Sequence, residues 1–482
     1  MAKPEPGPER VLFVRLPCKK VYPLGPIYLM SLVHRARPGL EQRLLDLALV
    51  PRAQRTRRLQ AEIEAFRPGL VAFSWRDIQI FSPQDSFGAL RDAFVFFHDP
   101  SPLRKIAAAF RGLWDIITYS SALAHNSGII GRAVRAHPGL AMALGGPSVR
   151  IFGDRLAGRV PKSVRIFADI GLGGFFGLLG IEEPQEEIEP GLDLGYIEEA
   201  FPQWPASRGE VIGVQSKRGC PRGCLYCLYG HIEGRTVIRR EPARVVDEIA
   251  DYAERWSTSR IWFADAQLLS EAGDRAHLVA ILEGLLARGT KLAWSGYLRI
   301  DELDPELASL MVRSGLGELE VSLGSGSQAV VDELNLGVSV EGVLRGCELL
   351  AAAGYQGRIF LNLSLNAPGE TKESLLETIA AVRRIKAIFG DSRVLPLVFF
   401  LAIQPHTGLE RRALADGHLK AGYDPLSVMP WNVLRLIYNP RPLGPLIGRA
   451  CARGFAGDPE GVGERILAYI EAALAKTGGQ HG

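Results

Sequence analysis

The sequence is short of sulfur: six cysteines and five methionines in 482 residues. So few thiols build no disulfide framework, which argues for a reducing compartment. An excess of one charge is also lacking. Lys and Arg number 56 against 53 Asp and Glu, a formal net of +3. That balance gives no electrostatic reason to expect nucleic acid. Long hydrophobic runs are missing too. The longest, Phe167 to Ile181, is broken by Asp169, is rich in glycine and is too short to span a bilayer. Met1-Ala2-Lys3-Pro4-Glu5-Pro6 lacks the apolar centre of a signal peptide, so a cytoplasmic location is expected. What remains, 47% apolar and 23% charged, is an ordinary globular composition, and the length allows two or three domains with their own cores.

Half of the cysteines stand together. Cys220, Cys224 and Cys227 lie in the run Lys217-Arg218-Gly219-Cys220-Pro221-Arg222-Gly223-Cys224-Leu225-Tyr226-Cys227, a C-x3-C-x2-C spacing. Thiolates suit iron–sulfur clusters, and a cubane has four corners to fill. Three thiolates on one Gly- and Pro-containing loop leave one iron open to a small molecule. Gly219 and Gly223 allow the tight turns such a loop needs. A structural zinc site wants four closed ligands. His231 could be the fourth, so a zinc or non-catalytic iron–sulfur module remains an alternative; Cys18, Cys347 and Cys451 are scattered.

The flanking pattern is α/β. In residues 1–181, strands fit Val11–Leu16, Leu44–Leu47, Leu70–Ser74 and Leu140–Leu144, with helices between. Short buried strands alternating with helices predict a doubly wound parallel sheet, with ligand loops at the strand carboxyl ends: Pro17–Gly25, Ser74–Gln79 and Gly145–Ser148. An insertion at 81–126 carries Phe87, Phe94, Phe96, Phe97, Trp114 and Tyr119, either a packed helical lid or a wall against a ligand. An acidic linker is expected at 182–207; Glu182–Glu199 holds eight acidic residues and no Lys or Arg. In residues 208–405, strands fit Val211–Gln215, Arg260–Ala264, Leu292–Ser295, Glu318–Leu323, Ile359–Leu365 and Val394–Ala402, a full or partial parallel barrel. The last part, 406–482, reads as a small substrate-side cap with a final amphipathic helix near Ile466–Leu474.

The cysteine run, with Tyr226 just before its last thiol, resembles that of the radical S-adenosylmethionine (SAM) enzymes. Other segments resemble the family in the correct order: Phe263-Ala264-Asp265-Ala266, Tyr297-Leu298-Arg299, Glu320-Val321-Ser322-Leu323-Gly324-Ser325, Asn362–Pro368 and Gln404-Pro405-His406. The N-terminal part resembles the Rossmann-like cobalamin-binding domain that precedes many radical SAM partial barrels, through Pro23-Leu24-Gly25-Pro26-Ile27-Tyr28 and Gly145-Gly146-Pro147. Two motifs depart from it. The usual D-x-H-x-x-G histidine loop is replaced by Ser74-Trp75-Arg76-Asp77-Ile78-Gln79, and a Gly-Glu-Gly-Glu element by Gly171-Leu172-Gly173-Gly174. A guanidinium has no lone pair to give cobalt, so a lower face without a protein ligand is implied.

The resemblance implies three cofactors: a [4Fe-4S] cluster on Cys220, Cys224 and Cys227, SAM, and cobalamin. It implies cofactor contacts from Pro23, Gly25, Tyr28, Ser74, Arg76, Gln79, Gly145, Gly146, Ser148, Tyr226, Asp265, Arg299, Ser322, Ser325 and Asn362, with Arg76 and Tyr297 in catalytic roles. The implied activity is methyl transfer from SAM via methylcobalamin to a carbon or phosphorus centre of a small-molecule or peptide natural product or pigment. The expected partners are that substrate and an external one-electron reductant of flavodoxin or ferredoxin type, with no nucleic acid and no membrane span. The resemblance extends to the tryptophan C-methyltransferase and to the Mg-protoporphyrin ester cyclases, so cyclisation or rearrangement without methylation is the alternative.

Overall fold

A computed structural model describes residues 7–18, 20–76, 88–169, 171–182, 192–207, 211–427, 429–456 and 461–478. Runs of β-branched and leucine residues, each closed by a turn, make the first five strands: β1 (Arg10–Arg15), β2 (Glu41–Asp46), β3 (Leu70–Ser74), β4 (Ala141–Gly145) and β5 (Arg165–Ile166). They form one parallel sheet in the order β2-β1-β3-β4-β5. The order reverses between β1 and β3, where Arg15 lies beside Ser74, so a crevice opens at their carboxyl ends. The sequence did not single out β5.

The second sheet begins with β6 (Ile212–Val214), followed by a small antiparallel pair, β7 (Lys217–Arg218) with β8 (Ile238–Arg239). Then come β9 (Arg260–Phe263), β10 (Ala293–Leu298), β11 (Leu316–Gly324), β12 (Ile359–Ser364) and β13 (Val394–Phe399). The six long-range strands are parallel and consecutive, β13-β12-β11-β10-β9-β6, as in a partial barrel. The helix Pro242–Trp256 buries Val245, Val246, Ile249 and Tyr252 along one face. A single buried cluster runs from Val11 through Leu474, joining both sheets.

Two expectations are corrected. The acidic stretch is not extended throughout: Leu194–Ala200 is a helix capped by Asp193, with Leu194, Ile197 and Ala200 buried. Apolar residues at helical spacing overrode the polar composition, and Trp204 then stacks on Trp256 at 4.3 Å. The insertion forms the helices Gly88–His98 and Pro102–Ala136, the second running ten residues past its expected end at 126. The final helix, Val462–Gly478, lies along edge strand β13. A Cβ on Gly463 would stand 2.0 Å from the Pro396 carbonyl oxygen, so only glycine permits that approach. Among the described residues no helix is long and apolar enough to cross a membrane.

The two sheets are joined by a buried polar knot. The Tyr28 hydroxyl donates to Glu248 at 2.8 Å and accepts from the Gln215 N–H at 3.0 Å and from Arg240 at 3.2 Å. Arg240 also pairs with Glu248 at 2.7 Å. Tyr28 was expected to contact a cofactor; its hydroxyl is instead committed to this interface. Tyr28→Phe leaves three buried groups short of a partner, so it is expected to cost about 1–3 kcal/mol. Urea denaturation checks this, and an unchanged midpoint would show the knot to be dispensable.

Candidate active site

The cysteine loop is pinned at its root. Asp265, just past β9, is buried and accepts from the Ser216 N–H at 2.8 Å, the Ser216 hydroxyl at 2.5 Å and the Lys217 N–H at 3.0 Å. Burial pushes its carboxyl up to about 6, against the pull of those donors. Both oxygens serve the loop, so Asp265 positions the cysteines and is not placed as a direct SAM contact. Lys217 is buried too, paired with Asp274 and bonded to Ser270 at 2.8 Å. Gly219 has φ +88°, and a Cβ there would stand 2.0 Å from the Thr236 carbonyl oxygen. Gly223 needs no left-handed φ; its limit is the Asn335 side chain, 2.9 Å from where a Cβ would be.

Later segments brace the loop from outside. The Leu225 N–H donates to Leu334 O at 2.9 Å, Asn335 Nδ2 to Gly223 O at 2.8 Å, Arg222 to Leu336 O at 2.7 Å, and the Leu409 N–H to Leu225 O at 2.7 Å. Cys220 is buried; Cys224 and Cys227 are half-buried, and all three thiols are free. Burial raises all three, Cys224 to about 11 and Cys227 to about 12. The Tyr229 N–H points at Cys227 Sγ at 3.5 Å. Thiols bind a metal as thiolates and release their protons on binding. Three of them on one braced loop fit a cluster with an open corner. Among the described residues no three His, Cys, Asp or Glu stand close enough to hold a single ion. His231, the candidate fourth zinc ligand, stacks on His406 at 4.0 Å, with its Nε2 on the Arg150 carbonyl at 3.0 Å. Cys347 is fully buried in the helix Val340–Ala352. Tyr226 packs against the core beside Cys224 and Cys227, and burial raises its phenol far above the ordinary value.

Strand alternation decides which side chains line the barrel. In β10 Trp294, Gly296 and Leu298 are buried towards the helices, while Ser295 and Tyr297 are half-buried towards the interior. In β11 Glu320 and Ser322 take the interior positions, and in β12 Phe360 and Asn362. Tyr297 is in register with Glu320, and Ser322 with Asn362, so four polar side chains adjoin. Trp262 meets Tyr297 edge-on at 5.3 Å. Asn362 Nδ2 donates weakly to Glu320 at 3.5 Å, and its Oδ1 is buried without a partner. Burial raises the Glu320 carboxyl, and Glu318 adds to it. Glu320 and Trp262 were not singled out from sequence, although Glu320 stands two residues before Ser322 and so shares its face of the strand. Two expected contacts lie elsewhere. Arg299 is buried, held by Asp301 at 2.9 Å and by Gly337 O at 2.7 Å. Ser325 is fully buried against the Thr378 hydroxyl at 2.9 Å. Both brace the barrel.

The N-terminal sheet presents its carboxyl edge to this loop. Arg76, exposed, follows the fully buried Trp75 at the end of β3. The Trp75 N–H bonds Gly145 O at 2.9 Å, and the Ser148 N–H bonds Trp75 O at 3.1 Å. Gly146, at φ +103°, lets that turn close; a Cβ would stand 2.6 Å from Trp75 O. Ser74 is half-buried and its carbonyl accepts the Leu16 N–H at 3.0 Å; Ser148 is buried. Pro23 caps the helix Leu24–Ala36, and Gly25 is exposed with open space beside it. Gln79 lies outside the described residues. Across the gap, Arg150 donates to the His231 and Ile232 carbonyls, and His406 Nε2 meets Ile151 O at 3.1 Å. Burial raises the Tyr229 phenol, Tyr297, Glu233 and Cys227 push the same way, and Arg76 pushes back.

Residues 214–382 match the radical SAM superfamily. The chain carries a radical SAM domain. The expectation of an enzyme of that class therefore stands. Among curated relatives, the tRNA-2-methylthio-N(6)-dimethylallyladenosine synthase of Geobacter sulfurreducens is 24% identical over 52% of this chain and 57% of its own length. The cytidylyl-2-hydroxyethylphosphonate methyltransferase of Streptomyces wedmorensis is 26% identical over 29% of this chain and 26% of its own. The chain spans about half the length of the first of these, 57%, and less of the second. Among solved structures, TsrM from Kitasatospora setae, with cobalamin and a [4Fe-4S] cluster bound, superposes with a TM-score of 0.59 at 17% identity, over 85% of this chain and 78% of that one. OxsB with aqua-cobalamin and SAM gives 0.61 at 13% identity, over 98% and 71%. These two likenesses bear out the fold: a Rossmann-like domain and a partial barrel in one chain.

After anaerobic reconstitution with iron and sulfide, Cys220→Ala, Cys224→Ala or Cys227→Ala is expected to abolish the thiolate-to-iron absorption near roughly 400 nm. Loss in Cys347→Ala instead would move the cluster off this loop. Asp265→Ala is expected to lower iron content several-fold while all three thiols remain; full loading would deny Asp265 its positioning role.

Proposed function

We propose that this chain is a cobalamin-dependent radical SAM methyltransferase, acting on a carbon or phosphorus centre of a small-molecule or peptide substrate. The observation that carries the reading is the opposition of the two carboxyl edges, with Arg150 donating to the His231 and Ile232 carbonyls of the segment that follows Cys227, and His406 meeting Ile151 O. Neither edge alone needs that arrangement; a carrier passing a group between two cofactors does. The likeness to TsrM and OxsB supports it, because it covers 85% and 98% of this chain, whereas the tRNA-modifying relatives match about half.

Cys220, Cys224 and Cys227 would hold the cluster, whose open iron takes SAM, and the crevice between β1 and β3 would hold cobalamin. When bound, these groups supply one-electron chemistry and a methyl carrier. The chain's own residues then have defined tasks. Asp265 and Lys217 fix the loop root. Tyr297, Glu320, Ser322 and Asn362 offer the barrel's polar contacts, and Trp262 a flat wall. The braces at Leu334–Gly337 shield the loop from water on its outer side. Arg76 has donors only, so it would offer a bound cobalamin hydrogen bonds and positive charge but no lone pair for the metal.

Anaerobic reaction with methyl-labelled SAM and mass analysis of the extract tests the reading. Label gained by a product, with S-adenosylhomocysteine formed, is expected; an altered product without methyl gain would favour cyclisation or rearrangement. Electron paramagnetic resonance of the one-electron-reduced cobalamin in the loaded protein is expected to lack axial nitrogen splitting and to gain it in Arg76→His. Nitrogen splitting in the native protein would remove the role given to Arg76.

A further inference from the structure

The helix Pro102–Ala136 is built inside out over its first half. Small residues face inward: Ala108 is buried, and Gly112 stands against Asp92 of the helix Gly88–His98. Large apolar side chains face outward. Leu103, Ile106, Phe110, Leu113, Trp114 and Ile117 recur at three- and four-residue spacing, each between 53% and 79% exposed. A surface helix normally turns that stripe to the core. Phe96 and Phe97, also exposed, extend the patch onto the neighbouring helix. The stripe runs along the crest of a helix, so it is a ridge, suited to a plane more than to a groove.

The charges around the ridge say what kind of plane. Along the ridge, residues 88–117 hold four Arg or Lys (Arg91, Arg104, Lys105 and Arg111) against three Asp. Two of those aspartates, Asp92 and Asp99, are buried beneath the arginines that pair with them. Arg91 meets Asp92 at 3.0 Å, Arg111 meets it at 2.9 Å, and Arg104 meets Asp99 at 3.1 Å. The acidic ends lie inside while the guanidiniums stay 39–50% exposed. Asp115 is half-buried, and burial holds its carboxyl above the ordinary value. The surface around the apolar crest is therefore cationic, with Trp114 and Phe110 on it. A basic rim around an apolar, aromatic stripe is the pattern of a helix lying in a lipid interface.

We propose that this helical hairpin docks the protein peripherally on an anionic lipid bilayer. The proposal is independent of the reaction performed in the barrel, since none of its residues lines that site. Anaerobically purified full-length protein is to be floated with phosphatidylcholine vesicles and with vesicles carrying about 30% phosphatidylglycerol, at low and high salt. Binding to the anionic vesicles, weakened at least about tenfold by high salt or by the neutral lipid, is expected. The double variant Phe110→Glu/Trp114→Glu is expected to lose binding and to keep its melting temperature, because both side chains are already in water. Absence of flotation overturns the proposal. So does unchanged binding by the double variant, equal binding to neutral vesicles, or a dimer in light scattering that the variant converts to a monomer without any vesicle binding, which assigns the ridge to a second copy.

Discussion

The candidate site depends on one buried carboxylate. Asp265 leaves β9 and catches Ser216 and Lys217 just past β6, so neighbouring parallel strands fix the start of the cysteine loop. A backbone N–H buried without a partner is costly, and here two of them and a hydroxyl converge on one side chain. Lys217 is tied in turn to Asp274, which also holds Arg239 of β8. The loop thus begins and returns through groups that have no freedom of their own. Its thiols are placed by the barrel rather than by the motif.

The second constraint is the knot at Tyr28. A hydroxyl on the first helix joins the end of β6 and the helix Pro242–Trp256 in one network. That fixes which edge of the N-terminal sheet meets the barrel. The contacts from Arg150 and Ile151 to His231, Ile232 and His406 then act farther out, beside the loop itself. Two sheets whose ligand edges would each face water are instead held edge to edge.

Much of this was legible in the sequence. The cysteine spacing and the strands of both sheets, the two-residue β5 excepted, were readable because each rests on a local pattern. The helix at Leu194 was hidden by eight neighbouring acids, which mark a linker more loudly than three apolar residues mark a helix. Asp265, Arg299, Ser325 and Tyr28 fell at positions that the family resemblance flagged, yet their oxygens and nitrogens are spent on protein partners, something no spacing reveals. Glu320 was missed for the opposite reason: strand parity pointed at it, but a carboxylate facing a barrel interior has no local signature. The outward face of Pro102–Ala136 was in neither reading of the insertion, packed lid or ligand wall, since a stripe at helical period does not say which way it turns.

The braces on the cysteine loop come from far downstream: Arg222 reaches Leu336 across 114 residues, and Leu409 closes on Leu225. Synthesis runs the other way. When Cys220 to Cys227 leave the ribosome, the segments that shape their loop have not been made. The nascent chain therefore exposes three thiols with no pocket around them, and assembly of a cluster there waits until Leu409 has emerged, under whatever machinery shields those thiols from oxygen in the interval.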